Sequence, residues 1–378
     1  MRHLHLGKYY PPDRGGMETV LREQCHGLAT AGHTVWALVA GRRDEELVTG
    51  PGGRIRVLRC RRAAVVASQP LVPGLTALLR RAWRELRPEA VTLHWPNPLA
   101  AALLLATWRE APPGARLFVW YHADVTRQRL LRPLLRPLLR GLWRRVAGIA
   151  VSSRTLKERS PVLAPVRDRV RVIPFGIDPE PWLAAAERSS GPDPGFLFVG
   201  RLVYYKGIEV LLEAIARLPQ ARLTVVGDGP LAGRLRRRAA RPDLASRVVW
   251  RGEIPARELQ ELLPRARALV LPSVAESETF GLVQLEAMAA GVPVVATRLP
   301  TGAGEIVRDG RTGLLVPPGD PDALAAALGQ LLSRPELARR WGEEGRRLLL
   351  SRYTRERMVE RLELWYRQPE AVSPAGEE

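Results

Sequence analysis

The sequence predicts an α/β protein made of two doubly wound, Rossmann-like domains facing a central cleft. Three observations carry that prediction. Short apolar runs alternate with longer amphipathic stretches, the pattern of parallel strands joined by covering helices. The alternation comes in two series, separated by Asp178 to Gly195, a Pro-, Ser- and Gly-rich segment that reads as a linker. The 378 residues also suffice for two domains of ordinary size.

In the first series the expected strands are His3 to Leu6, Thr34 to Ala40, Ile55 to Leu58, Ala90 to Leu93, Leu117 to Tyr121, Ile149 to Ser152 and Val170 to Ile173. Met17 to Ala31 and Leu75 to Leu86 are among the helical stretches between them. The second series has strands at Phe196 to Val199, Leu223 to Val226, Val248 to Arg251, Ala268 to Leu271, Val292 to Ala296 and Leu314 to Val316. Its helices are expected at Gly207 to Arg217, Pro230 to Arg241, Ala256 to Arg265 and Phe280 to Ala290. The domains expected are 1–178 and 190–350. One long helical stretch, Pro335 to Tyr366, follows, and its last part, about 352–366, would cross back to the first domain. Ligands of such folds bind where the carboxyl ends of strands meet.

Composition narrows the class. Hydrophobic residues make up 46% of the chain, enough for well-packed cores. Cys25 and Cys60 form no metal or disulfide pattern, which fits a reducing compartment. The start, MRHLHLGKYYPP, has no signal-peptide core, and no apolar run approaches the roughly 18 to 20 residues that span a bilayer. A cytoplasmic protein, peripheral to a membrane at most, is expected. The net charge is +19, and only Lys8, Lys157 and Lys206 are lysines. The charge therefore reflects a sequence-wide use of arginine, which makes a retained lysine informative. A positive field attracts phosphates, anionic lipid and nucleic acid. Without an aromatic–basic motif, zinc spacing or helix-turn-helix pattern, no nucleic acid partner is expected.

Several loops carry chemistry. In LPSVAESETFGLVQLEAMAAGVP, Leu271 to Pro293, a buried strand leads through a polar loop into a helix that stops at Gly291 and Pro293. Glu278 precedes its first turn and Glu286 follows eight residues later, about 12 Å along a continuous helix. That is too far for a shared proton. It suits gripping two ends of an elongated polar ligand, and it equally fits incidental charge on an amphipathic helix. In FLFVGRLVYYKGIEVLLEAI, Arg201 follows a strand and Lys206 opens the next helix. A planar fork beside a compact charge suits a diphosphate, against the plainer reading of a solvated pair. In KYYPPDRGGMETV, Gly15 and Gly16 stand before a helix, where backbone N–H groups can approach a phosphate, although a bare glycine turn has the same pattern. VWYHAD puts His122 and Asp124 at a strand's carboxyl end. VVGDGPL is another glycine-rich turn.

Together these segments resemble retaining glycosyltransferases of the two-domain GT-B fold, glycosyltransferase family 4, over nearly the whole chain. The carriers are Gly15-Gly16, YHAD around His122, IPFGID at Ile173 to Asp178, VGRLVYYKG at Val199 to Gly207, VGDGPL, Glu278-x7-Glu286 and TGLLVPPGD at Thr312 to Asp320. YYPPDRGGMETV and HWPNPLA are most similar to bacterial polysaccharide mannosyltransferases. The resemblance implies that Arg201 and Lys206 hold the donor diphosphate and that Glu278 binds hydroxyls of the transferred sugar. Phe280, Gly281 and Leu282 would offer backbone N–H groups, and Glu286 would bind the ribose. Gly16, with Gly15, would approach the diphosphate, and His122 would stand by the sugar and the acceptor hydroxyl.

It further implies transfer of a hexose, with retention, to a glycan or lipid-linked acceptor hydroxyl. The donor would be GDP-mannose, with UDP-glucose or another UDP-hexose as the alternative. No cofactor or metal is required, since no Asp-x-Asp motif stands at a strand end near these residues. No pair of flanking carboxylates about 5 Å apart is evident, so a front-face path is favoured over an enzymic nucleophile. A non-catalytic nucleotide-sugar binder is the other reading. Finally, RQRLLRPLLRPLLRGLWRR, Arg127 to Arg145, spaces arginines at 132, 136, 140 and 144 between leucine pairs. It fits a helix lying on an anionic membrane or a buried helix in an arginine-rich chain. Pro133 and Pro137 argue against one smooth helix.

Overall fold

The apolar runs become strands because both of their faces are covered. Ala90–Trp95, for instance, is buried at every residue. The computed structural model describes residues 1–13, 15–67, 69–124, 132–190 and 195–369. It divides into a first unit, Met1–Gly176 joined by the chain from Arg355 onward, and a second, Ile177–Thr354.

The first unit runs β1 (Arg2–Leu6), α1 (Gly16–Thr30), β2 (Thr34–Gly41), β3 (Glu45–Thr49), β4 (Ile55–Arg61), β5 (Ala64–Val66), β6 (Gln69–Leu71), α2 (Leu75–Glu85), β7 (Ala90–Trp95), α3 (Pro98–Thr107), β8 (Arg116–Tyr121), α4 (Arg132–Arg145), β9 (Val146–Val151), α5 (Arg154–Arg159) and β10 (Val170–Val172). Its main sheet has the order β10-β9-β8-β7-β1-β2-β4-β3. All neighbours are parallel except β3, which runs antiparallel to β4. β3 and the small β5–β6 hairpin lie outside the expected series. The first is largely exposed and the second has three-residue strands, so neither writes a buried apolar run.

The second unit runs α6 (Glu180–Glu187), β11 (Phe196–Val199), α7 (Ile208–Ala216), β12 (Leu223–Val226), α8 (Ala232–Ala239), β13 (Val248–Gly252), α9 (Ala256–Leu262), β14 (Ala268–Leu271), α10 (Val283–Ala289), β15 (Val294–Thr297), α11 (Ala303–Ile306), β16 (Gly313–Val316), α12 (Pro321–Ser333) and α13 (Pro335–Arg352). Its sheet, β13-β12-β11-β14-β15-β16, is parallel throughout.

Two expectations need correction here. The segment expected as a plain linker contains α6, whose early proline suits a first helical turn and whose Trp182 and Ala185 are buried. The long terminal stretch is two helices. α13 ends at Arg352, the carbonyl of the following Tyr353 accepts from Ile177 N at 3.0 Å, and α14 (Arg355–Arg367) starts anew. In the first unit α14 seals the sheet: Trp365 and Tyr366 are fully buried against Phe118, and the Tyr366 hydroxyl meets Thr92 Oγ1 at 2.8 Å. Arg355 Nε donates to the buried Glu23 carboxylate at 2.6 Å, tying α14 to α1.

α4 is one helix with Pro137 inside it, so the prolines do not divide the segment. Pro133 lies in the first turn, where a missing N–H costs nothing. Residues 127–131 of the basic stretch lie outside the described residues. Leu135, Leu138, Leu139, Leu142 and Trp143 pack into the core of the first unit, while Arg136, Arg140 and Arg144 are exposed. The apolar face is thus used by the fold, and a row of arginines is what faces outward.

Candidate active site

The second unit's strand order reverses between β11 and β14, where doubly wound sheets bind ligands beyond the strand ends. Both loops that leave these two strands carry the expected residues. Arg201 follows β11 directly after Gly200, is exposed, and has no ion-pair partner among the described residues. Its loop is braced by the glycine turn after β12: Leu202 N donates to Asp228 O at 2.9 Å and Leu231 N to Leu202 O at 3.1 Å.

Lys206 closes a 3-10 turn, Tyr204–Lys206, before α7 and not within it. Gly207 follows at φ +65°, and a Cβ there would lie 1.9 Å from Pro272 O. Only glycine permits that approach, which packs the turn against the end of β14. Val274 N completes the junction by donating to Tyr205 O at 2.8 Å.

The consequence is a buried ion pair. Lys206 Nζ lies 2.5 Å from Glu278 Oε2, with side-chain exposures of 11% and 8%. The Ser273 hydroxyl donates to the same carboxylate oxygen at 3.0 Å. Thr301 Oγ1 donates to the Glu278 carbonyl at 2.7 Å, and Thr297 Oγ1 to the Ser273 carbonyl at 2.6 Å. Serine and threonine hydroxyls thereby fix both the side chain and the backbone of Glu278. Its Oε1 takes no partner among the described residues.

The helix expected over Phe280 to Ala290 is shorter. α10 begins at Val283, and Gly281 at φ +73° separates it from the Glu278 loop. Glu278 and Glu286 are therefore not joined by continuous helix, and the rise of about 12 Å does not apply to them. Glu286 lies half-buried in the first turn of α10. Phe280, Gly281 and Leu282 form the bend before α10. Gln284 Nε2 anchors that bend through Phe280 O at 3.0 Å and Ala303 O at 3.1 Å.

In the first unit, α1 starts at Gly16 and Gly15 caps it in an extended conformation. A Cβ on Gly15 would lie 2.1 Å from Glu18 Oε2, while one on Gly16 would meet nothing within 4 Å. The positive end of α1 is thus occupied by the chain's own Glu18 carboxylate. Burial pushes that carboxyl's pKa up, partly offset by a bond to its own backbone N–H and by Lys8. Burial in turn lowers the Lys8 pKa.

His122 follows β8 and is buried, its ring 5.7 Å from that of Phe175 in the IPFGID segment. Its Nε2 meets His94 Nδ1 at 3.0 Å. Burial takes its pKa down to about 3, and the like charge of Lys8 adds to the effect, so the ring is neutral at ordinary pH. Asp124 of the same motif is structural: Tyr121 OH and Ser160 Oγ donate to its Oδ1 at 2.6 and 2.8 Å.

Sequence reasoning brought out the charged residues and missed those that hold them. Ser273, Thr297 and Thr301 carry no distinctive spacing. Lys8 had a usable signal as one of only three lysines, and His94 as part of HWPNP.

Comparison with known proteins completes the picture. Residues 14–181 match the family model for Glycosyltransferase Family 4, and residues 183–348 that for Glycosyl transferases group 1. The chain is 33% identical to O-antigen chain mannosyltransferase C of Escherichia coli, over 95% of this chain and 96% of that one. It is 32% identical to a D-rhamnosyltransferase of Pseudomonas aeruginosa, over 90% and 89% respectively. Among solved structures, sucrose-phosphate synthase of Thermosynechococcus elongatus superposes with a TM-score of 0.78, at 23% identity over 98% of this chain and 99% of that one. Anabaena HepE, solved with UDP, gives 0.76 at 19% identity over 96% and 98%. No helix among the described residues is long and apolar enough to cross a membrane. The chain belongs to glycosyltransferase family 4 and is a retaining hexosyltransferase with the GT-B fold.

Proposed function

We propose that the protein transfers mannose from GDP-mannose to a hydroxyl of a lipid-linked glycan chain, with retention at the anomeric carbon. The observation that carries the chemistry is the Lys206–Glu278 pair with the exposed Arg201, at the reversal point of the second sheet. The choice of mannose rests on the similarity to an O-antigen mannosyltransferase. A UDP-hexose donor is the second reading, since HepE has been solved with UDP-glucose.

In this reading Arg201 and Lys206 neutralise the charge that develops on the departing diphosphate, the kind of stabilisation that often dominates catalysis. Glu278 Oε1 accepts from hydroxyls of the transferred sugar. The backbone N–H groups of Phe280, Gly281 and Leu282 serve the donor, and Glu286 the ribose. Gly15 and Gly16 serve a donor phosphate once Glu18 yields the end of α1. His122 orients the sugar. The bond from the anomeric carbon to the phosphate oxygen breaks, and the bond to the acceptor oxygen forms on the same face. The acceptor's proton passes to the departing phosphate oxygen, giving the nucleoside diphosphate and the glycoside.

The exposed row Arg136, Arg140 and Arg144 lets the protein work at the cytoplasmic face of an anionic membrane, held by charge and not by insertion. A thermal-shift screen of GDP, UDP and their sugars tests the donor, and product analysis by NMR tests the linkage. GDP-mannose giving the largest shift and an α-mannoside is expected. A β-mannoside, or transfer from UDP-sugars alone, would overturn the corresponding part.

A further inference from the structure

Three of the chain's six histidines form a continuous line through the first unit. His5 lies on β1, His94 on β7 and His122 just beyond β8, and these strands are neighbours in the sheet. His5 Nδ1 meets His94 Nε2 at 3.1 Å, and His94 Nδ1 meets His122 Nε2 at 3.0 Å. The His94 and His122 rings stack at 5.3 Å. All three are at most 4% exposed.

Burial keeps them neutral. It takes the pKa of His5 down to about 3, as it does for His122, and that of His94 well below its ordinary value. A neutral imidazole has one N–H and one lone pair. The protons of the line must therefore all point the same way, and the choice at one end dictates the tautomer at the other.

The two ends differ. His5 Nε2 is sealed from solvent and has no partner among the described residues. His122 Nδ1 has no partner among the described residues either, and this residue keeps 4% exposure against none for His5. If the protons run from His5 toward His122, the sealed end holds a bare lone pair and His122 presents Nδ1–H outward. If they run the other way, an N–H is buried with no acceptor. Protein interiors tolerate an unfilled acceptor more readily than an orphaned N–H.

We propose that His94 and His5 are positioning residues that hold His122 in the Nδ1–H tautomer, so that it meets the sugar as a hydrogen-bond donor and not as a base. The contact with sugar rests on the proposed function, whereas the tautomer rests on the line itself. With Nε2 engaged and Nδ1 protonated, His122 has no lone pair with which to take the acceptor's proton. That leaves the proton to the departing phosphate oxygen.

Nitrogen-15 NMR of the full chain, labelled at histidine and assigned through the spectrum of His122→Gln, reads which ring nitrogen carries hydrogen. The inference expects hydrogen on Nδ1 and none on Nε2 for His5, His94 and His122. Hydrogen on Nε2 of His122 overturns it. Two substitutions extend the test to turnover. The His94→Asn amide can still donate to His122 Nε2 and should retain kcat within about threefold, whereas the acceptor-only His94→Asp should lose about 100-fold in kcat with little change in KM. Equal kcat in the two variants would overturn the inference. Should His94→Asp fail to fold, the wild-type spectrum still decides. That spectrum reads the tautomer even in a chain that transfers nothing, so failure of the transfer reading and failure of this inference are told apart.

Discussion

On the proposed reading, the two units serve the transfer by opposite means. The second gathers charge: a lysine and a glutamate are buried in contact, with an exposed arginine on the adjoining loop and hydroxyls holding the glutamate in place. The first lines up neutral rings. His5, His94 and His122 are buried and uncharged, and the helix end that could attract a phosphate is filled by Glu18. A group that must stabilise developing charge needs ions held ready, whereas a group that orients hydroxyls needs a defined donor and acceptor. On the proposed reading, this contrast accounts for the different surroundings of Lys206, buried at the close of a 3-10 turn, and His122, buried just after β8.

The contrast can be broken first at Lys206. Replacing it with alanine should cut transfer about 1,000-fold. It should also lower stability by about 3 kcal/mol or more, because Glu278 is left buried without its counter-ion. The double variant Lys206→Met with Glu278→Leu should regain most of that stability in urea melts and none of the transfer. If the single variant melts like the wild type, the pair is not what holds the loop.

The neutral side is tested next by acid. The folded pKa values of His5, His94 and His122 lie below the ordinary value, so the unfolded chain takes up protons first as pH falls. The contribution of His5 and His122 is fully present above about pH 6.5 and is lost progressively toward about pH 3, and that of His94 is lost in the same direction. Within that window each ring should reduce the unfolding free energy by about 1.4 kcal/mol per pH unit. Urea melts at pH 7 and pH 5.5 measure the slope, ahead of most carboxylate titration. A flat profile would mean that the rings are not held neutral.

Smaller effects are expected at the glycine turn. Gly16→Ala has open space for its methyl group and should leave the melting temperature unchanged while weakening nucleoside diphosphate binding about tenfold. Unchanged affinity would remove Gly16 from the donor site. Glu18→Gln should strengthen the same binding about threefold by clearing a competing anion from the end of α1. Weaker binding would show that Glu18 supports the site and does not block it.

Much of this organisation was legible in the sequence. Buried parallel strands write continuous apolar runs, so both sheets were foreseeable, and Arg201 and His122 stood out at strand ends, Lys206 and Glu278 at helix starts. What could not be read was contact across distant segments. Lys206 and Glu278 meet only because Gly207 lets one loop pack on the carbonyl of Pro272 in another. His5, His94 and His122 fall in line only through the sheet order β8-β7-β1. Gly281 is legible as a residue but not as a left-handed one, so the apolar pattern alone extends α10 too far toward its N-terminus. The leucines of α4 carried equal signals for lipid and for core, and packing decided between them.

The central claim is that Lys206 holds the donor diphosphate while Glu278, its partner before the donor arrives, holds the sugar. Calorimetric titration of GDP and UDP into the wild type, Lys206→Gln and Glu278→Gln tests it most directly. For whichever nucleotide the wild type binds, Lys206→Gln should weaken affinity at least about tenfold. Glu278→Gln should leave that affinity equal or stronger, because Lys206 is released from its ion pair, while transfer is lost. Wild-type affinity in Lys206→Gln, or equal weakening in both variants, would contradict the account.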